Sequence, residues 1–309
     1  MAACIHSQVA ENGFNESMIT RGGQRRQVAT AYMLLAPSLF GVVVFLLLPM
    51  LVVIWLSLQR WDMLGPIEYV GLTNWRSVFG DSTFGTSLVV TVLFVAIVVP
   101  VQSVLGLGAA AMLARGLPGT GLFRTLYLLP WICSPLAIAI LWRWILAPTD
   151  GAVSTVLGRH VEWLTDPSLA LPVVSAVTVW TNVGYVTLFF LAGILAIPAD
   201  VHDAARTDGA SAWQRFWHIT LPMLRPTTFF VLVTGIVSAA QIFDTVYALT
   251  GGGPQNRTDL IAHRIYAEAF GAAAIGKASV MALVLFALLV GITIVQHRYF
   301  QRRISYDLT

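Results

Sequence analysis

In 309 residues the chain carries 57% hydrophobic side chains and only 11% charged ones, where a soluble domain has about 25% charged. With a mean hydropathy of +0.77, this composition argues against a soluble enzyme and predicts an all-α polytopic membrane protein. The net charge of +3 is accounted for by basic cytoplasmic loops and calls for no nucleic acid.

Residues 1–30 hold no apolar run, so no cleavable signal peptide is expected ahead of the first span, which would serve as its own targeting signal. Six apolar stretches follow, at 31–58, 85–114, 122–147, 169–197, 227–250 and 278–296. Each reaches the roughly 20 residues that a membrane-crossing helix needs. The expected organisation is a tail over 1–30, a six-helix transmembrane domain over 31–297 and a tail over 298–309. Basic residues set the sidedness. Eleven lie in the two tails, the second-to-third loop and the fourth-to-fifth loop, among them Arg21, Arg115, Arg124, Arg206, Arg215, Arg225, Arg302 and Arg303. Six lie on the other side, and Arg143 falls inside the third stretch. The excess places both termini and the loop over 199–226 in the cytoplasm, with the spans in the plasma membrane. The two cysteines, Cys4 in the tail and Cys133 in an apolar stretch, argue against a disulfide framework or a cysteine metal site.

The loop over 199–226 is the one long polar interruption. Pro198 and Asp200 predict a helix from Val201, with the Asp200 oxygen taking a free backbone N–H. Gly209 ends that helix in a left-handed residue. Ser211 and Gln214 have capping-box spacing for a second helix, which Leu221-Pro222 stops. Trp213, Phe216 and Trp217 share one face of it and would anchor the loop to its own chain. Small Ala204 and Ala205 permit close approach by a partner, and Asp203 can meet a partner's cation. Such an element suits docking of another protein; an amphipathic loop resting on the membrane is the plainer alternative.

Polar side chains at membrane depth usually face a bundle interior or a wet cavity. The candidates are Gln102, Arg143, Asn182, Tyr185, Gln241, Asp244 and Tyr247. On a continuous fifth helix Gln241, Asp244 and Ala248 form one stripe with Tyr247 beside it. Amides and a carboxylate suit sugar hydroxyls, while the rings of Trp180 and Tyr185 suit sugar C–H faces. Gln102 and Asn182 serve equally well as interhelical hydrogen bonds. Asp244 can instead pair with Arg143 or hold the turn over 251–254, and Trp142 and Trp144 suit an interfacial aromatic belt.

The spacing of Asp203, Ala204, Ala205, Gly209, Ile219, Leu221 and Pro222 resembles the EAA loop of ABC importer permeases, with Asp203 in the Glu place. The resemblance extends over almost all of the chain after residue 30. Tyr69-Val70-Gly71-Leu72-Thr73-Asn74-Trp75, Leu129-Pro130-Trp131, Pro135, Trp142, Trp180, Gly184 and Ala192-Gly193 are similar to sugar-type permeases. So are Phe243-Asp244, Tyr247 and Leu249-Thr250-Gly251-Gly252-Gly253-Pro254. Two positions depart from the pattern: Asp203 is one methylene shorter than Glu, and Ser154 stands where Asn is common.

The resemblance implies a permease subunit that moves a carbohydrate, including an amino sugar, by alternating access. The loop would be the coupling helix on a cytoplasmic ATPase, with Asp203, Ala204, Ala205, Asp208, Gly209, Ala210, Phe216, Ile219, Leu221 and Pro222 in the joint. The substrate pathway would include Gln102, Trp180, Asn182, Tyr185, Gln241, Asp244 and Tyr247. The implied partners are a second homologous permease, an ATP-binding subunit dimer and an extracytoplasmic binding lipoprotein, with lipid around the spans. No cofactor is expected in this chain, which lacks a Gly-x-x-x-x-Gly-Lys-Ser/Thr loop; ATP and Mg would belong to the ATPase. Neither a Gly-x-Ser-x-Gly nor a His-Glu-x-x-His motif is present. The alternatives are a glycerophosphodiester or polyol permease with these motifs, and an ion-coupled secondary transporter, whose inverted repeats with interrupted helices are not visible between the two halves.

Overall fold

The computed structural model describes residues 21–116 and 119–301. Cys4, the tail before Arg21, and Arg302 and Arg303 lie outside the described residues. The chain divides into two compact units, Met1–Trp55 and Leu56–Thr309. In the first, α1 (Arg21–Val42) runs through a π-helical turn (Val43–Leu47) into α2 (Leu48–Leu56). Within its apolar part, Tyr32–Leu56, the most apolar 18 residues have a mean hydropathy of 2.9 and none of them is buried. A helix apolar on every side requires lipid or another protein around it.

The second unit opens on a hairpin of β1 (Gln59–Arg60) and β2 (Glu68–Tyr69), with Gln59 opposite Tyr69, followed by α3 (Thr73–Phe79). Asn74 is buried, and its Nδ2 donates to the carbonyls of Ser57 at 3.0 Å and Gln59 at 2.7 Å. The Asn of the Gly-Leu-Thr-Asn signature is therefore a strut between the hairpin and α3. Asp81 caps α4 (Ser82–Leu113), its carboxylate accepting the Thr83 N–H at 2.8 Å; that bond holds its pKa below the ordinary carboxylate value. Next come α5 (Thr120–Ile132), α6 (Pro135–Ile145), α7 (Ala152–Leu157) and α8 (Ala170–Leu195). The chain ends with α9 (Ala199–Thr207), α10 (Ala212–Arg215), a π-turn (Phe216–Thr220), α11 (Leu221–Met223), α12 (Arg225–Ala240), α13 (Asp244–Leu249), α14 (Ile261–Tyr266), a π-turn (Ala267–Gly271) and α15 (Ile275–Gln301).

Four of the six expected spans are single long helices: Tyr32–Leu56, Ser82–Leu113, Ala170–Leu195 and Ile275–Phe300. The third is not. It bends by 94° between α5 and α6, where Cys133 is extended and Pro135 supplies no N–H. At about 1.5 Å per residue neither piece crosses a roughly 30 Å core alone. The fifth stretch is also divided: α12 stops at Ala240, three non-helical residues follow, and α13 starts at Asp244. Interrupted helices, which hydropathy alone does not reveal, are thus part of this fold.

Packing concentrates on α4 and α8, whose Phe94, Val98, Val174 and Val177 share a buried core with Val246 and Leu249 of α13. Val280, Met281, Leu285 and Leu289 of α15 close on Val78 and Phe84. Gly184 lets α8 lie directly on α5, because a Cβ there would run into the Tyr127 carbonyl. Trp142 packs against the α4–α8 core instead of joining an interfacial belt, whereas Trp144 is exposed.

Candidate functional site

The two breaks meet at one place. A cavity of about 310 Å³ is lined by Gln102 of α4, by Thr178, Thr181, Asn182 and Tyr185 of α8, by Thr234 and Ser238 of α12, and by both interruptions, Pro135 on one side and Gln241–Asp244 on the other. Non-helical backbone at membrane depth is tolerated where it is enclosed by protein or lines a wet cavity, and here it lines a cavity with polar walls. The polar groups mix acceptors with donors. Thr178, Thr181 and Thr234 donate their hydroxyl protons to their own helix at 2.8–2.9 Å. Asn182 Nδ2 donates to the Thr178 carbonyl at 2.9 Å. The threonine oxygens and the Asn182 carbonyl remain free to accept, Asn182 keeps its second N–H, and the Asp244 carboxylate adds two more acceptor oxygens beside the amides of Gln102 and Gln241. Among the described lining residues Asp244 is the one charged side chain. Tyr185 presents less ring than expected, since Trp131 stacks on it at 4.7 Å and Phe189 meets it edge-on at 4.8 Å.

Several expected placements differ. Gln241 and Asp244 reach the cavity through the break and not as a helical stripe, because α12 ends between them. Both are exposed, so Asp244 is not a carboxylate in a dry interior. It does not pair with Arg143, whose Nη1 points to the Ala248 carbonyl at 3.4 Å and ties α6 to α13. Trp180 lies outside the cavity and packs edge-on against Trp142 at 5.3 Å. Tyr247 also lies outside and joins an aromatic group with Phe243 and Tyr266. Gln102, Asn182 and Tyr185 do line it. The missed lining residues are Trp131, Thr178, Thr181, Thr234 and Ser238; Thr and Ser inside a span carry no sequence signal of which way they face.

The segment after α13 holds a second carboxylate that no sequence pattern announces. Asp259 is 3% exposed. Its Oδ1 lies 2.7 Å from His263 Nδ1, and its Oδ2 accepts from Ser87 Oγ at 3.0 Å. Arg264 bridges the cluster, reaching Glu268 at 3.3 Å and Asp81 and Asp259 at 3.8 Å. The Thr91 hydroxyl accepts the Ile261 N–H at 2.8 Å. Segment 250–268 is thereby fastened to the start of α4.

In the loop, α9 starts at Ala199, two residues before the expected Val201, with Pro198 at the cap position and no side-chain cap from Asp200. It ends in a double turn: Gly209 N–H donates to Arg206 and Ala210 N–H to Ala205, at 3.0 and 2.9 Å, with Gly209 at φ +77°. Ser211 and Gln214 form the reciprocal capping box. Leu221-Pro222 does not stop the helix; it continues through the π-turn and α11, and the chain bends by 64° at Leu224. Asp203, Ala204, Asp208 and Gly209 are exposed, Ala205, Phe216, Leu221 and Pro222 half-buried. Asp208, Gly209, Ala210 and Ile219 share one cleft of about 340 Å³. Trp213 and Trp217 are 70% and 46% exposed, so they do not fasten the loop to its own chain.

A bundle whose helices break around a polar cavity, with a capped two-helix loop between two spans, has the architecture of a membrane transport protein. Residues 102–306 match the family model of the binding-protein-dependent transport system inner membrane component, and the chain belongs to that family. It is accordingly a multi-pass plasma-membrane permease subunit of an ABC importer. The sn-glycerol-3-phosphate transport system permease protein UgpA of Agrobacterium fabrum is 34% identical over 282 residues, 89% of this chain and 96% of that protein. The protein of the same name from Yersinia enterocolitica is 33% identical over 281 residues, covering 89% and 95%. The fold is similar to that of a bacterial ABC transporter involved in import of the acidic polysaccharide alginate, with TM-score 0.79 and 22% identity over 92% of this chain and 99% of that one. A structure of the alginate transporter in complex with an alginate pentasaccharide-bound periplasmic protein gives TM-score 0.80 and 21% identity over 91% and 96%.

Proposed function

We propose that the chain supplies one half of a carbohydrate pathway, a second homologous permease supplying the other, and that the cavity between the two helix breaks contacts the passing sugar. The observation that carries this reading is the polar lining: the Asn182 carbonyl oxygen, the threonine hydroxyl oxygens and Asp244 accept, and the amides of Gln102 and Gln241 both donate and accept, which suits a ligand that arrives as a set of hydroxyls. An extracytoplasmic binding protein would deliver the sugar. Closure of an ATP-binding subunit dimer against Asp203, Ala204, Ala205, Asp208, Gly209 and Ala210 would then turn the breaks inward, with ATP and Mg held by that dimer. The termini and the loop face the cytoplasm on the basic-residue count, so reporter fusions after Arg115 and Gln214 should read cytoplasmic and fusions after Asn74 and Asn256 extracytoplasmic.

A glycerol phosphate or related polyol ester is the second reading, favoured by the names of the 33–34% identical relatives. Against it stands a lining with a carboxylate and no basic side chain among its described residues. Uptake assays with the reconstituted complex test the choice: ATP-dependent import of a neutral or amino sugar supports the first reading, and import of the phosphate ester alone overturns it.

A further inference from the structure

Trp213 and Trp217 are large, exposed and packed on one another at 5.5 Å, with Phe216 at 6.3 Å from Trp213. Beside them lies a cavity of about 670 Å³ with two kinds of wall. One wall is apolar and belongs to the ends of two crossing helices, Met112 of α4 and Ile194 of α8, with Phe216 facing them from the loop. The other is basic: Arg115, His202, Arg206 and Arg215 line it, and no carboxylate does among the described residues. Arg206 is engaged by Asp203 at 2.9 Å, and Arg215 gives one N–H to the Ala210 carbonyl at 2.7 Å. Arg115 is exposed, and its side chain makes no hydrogen bond or ion pair among the described residues.

The position of this cavity restricts its occupant. Leu113 and Leu195 end helices long and apolar enough to cross a membrane, and Arg225 begins the apolar α12, so the cavity opens at the level where the hydrocarbon core gives way to headgroups. The stretch Ala212–Met223 joins α12 through Leu224 alone and is bent 64° from it. A helix so turned beside a crossing helix runs along the membrane surface, its aromatic residues at headgroup level. A ligand that fills both walls has an apolar tail and an anionic head. Basic pockets between helix ends on the cytoplasmic side accept anionic lipid heads in this way.

We propose that this cavity binds the headgroup of an anionic phospholipid, with Arg115 and Arg215 on the phosphate and Trp213 and Trp217 in the interface, so that the loop rests on the bilayer by α10 while the exposed side of α9 remains for the ATPase. The inference rests on the cytoplasmic orientation of the loop proposed above.

The test uses the assembled complex in mild detergent, titrated with a fluorescent phosphatidylglycerol and with the matching phosphatidylcholine. The glycerol lipid should bind more tightly, and Arg115→Gln should weaken it about fivefold, the effect of one basic residue at a membrane surface, while leaving phosphatidylcholine unchanged. Arg159→Gln, a basic residue far along the chain, should change neither. Unlabelled phosphatidylglycerol should compete and millimolar inorganic phosphate should not; competition by phosphate instead would assign the cavity to a free anion and overturn the lipid reading. Equal binding of the two lipids, or no response to Arg115→Gln, overturns it as well. A Trp213→Cys variant separates the remaining failures: cross-linking of that position to the ATPase overturns the lipid site, whereas labelling by an impermeant maleimide from the extracytoplasmic side in cells shows that the orientation failed.

Discussion

The loop from α9 to α11 and the segment from α13 to the π-turn after α14 are made of the same parts, short helices, a π-turn and a glycine corner, but they are held in opposite ways. In the loop, the side-chain hydrogen bonds that shape 203–218 join residues five or fewer apart, such as Arg206 to Asp203, Ser211 to Gln214 and Arg215 to Ala210. After α13, local bonds such as His263 to Asp259 are joined by two that cross 170 or more residues, from Ser87 to Asp259 and from Thr91 to Ile261. An element closed on itself can be pushed as a unit without breaking anything it depends on. A segment stitched to a distant helix moves only with that helix. That difference suits the coupling role proposed for the loop, and it ties the stitched segment, with the Gln241–Asp244 break just before it, to α4.

The largest effect should come from cutting the stitch. Asp259→Ala removes the acceptor that His263 and Ser87 share at a buried site, and leaving buried hydrogen-bonding groups without a partner costs about 1–3 kcal/mol each. Thermal unfolding of the purified chain should show a clear loss, and Asp259→Asn, which keeps an acceptor for Ser87, should show less. An unchanged midpoint would mean that the segment is held by its apolar packing alone. The same measurement on the loop should give a contrasting result. Gly209→Val forces a β-branched residue into left-handed backbone at about 1–2 kcal/mol, and Asp203→Lys removes an exposed pair worth under about 1 kcal/mol. Both variants should stay in the membrane while substrate-stimulated ATP hydrolysis in the reconstituted complex falls at least about tenfold. Normal hydrolysis and import by both would remove the loop from the coupling role.

Between the two regions lies Asp244. Exposed to the cavity and without an ion-pair partner among the described residues, it should tolerate Asp244→Asn with no loss of assembled complex, while import drops several-fold, more for an amino sugar than for a neutral one because the charge-assisted bond is lost. Unchanged uptake of both sugars would leave Asp244 a structural residue. The smallest effect concerns the foot of the stitched region. The Thr83 N–H holds the Asp81 carboxyl below its ordinary 3.8, so the cap contributes its stability above that value and loses it as pH falls through the lowered one. Asp81→Ala should cost about 1 kcal/mol at neutral pH and should remove the corresponding part of the acid sensitivity seen in a pH series of unfolding midpoints.

The same contrast separates what was legible in the chain from what was not. The corner at Gly209, the capping box of Ser211 and Gln214 and four long apolar helices follow from spacing and composition, because the atoms that satisfy one another there are neighbours in sequence. The loop can therefore be outlined from its residues alone, except for its ends: Pro222 at a first-turn position is compatible with a helix, so the stop falls at Leu224 instead. The cavity was legible only as a set of names. Gln102, Asn182, Tyr185, Gln241 and Asp244 stand out because polar groups at membrane depth are costly, yet Trp180 and Tyr247 face elsewhere and the threonines give no signal. Which polar group meets which depends on where α5 and α12 break and on how closely α8 approaches Tyr127. Those are agreements between helices far apart in the chain, as are the bonds of Asp259, and local propensity carries no trace of them; only the packed bundle decides.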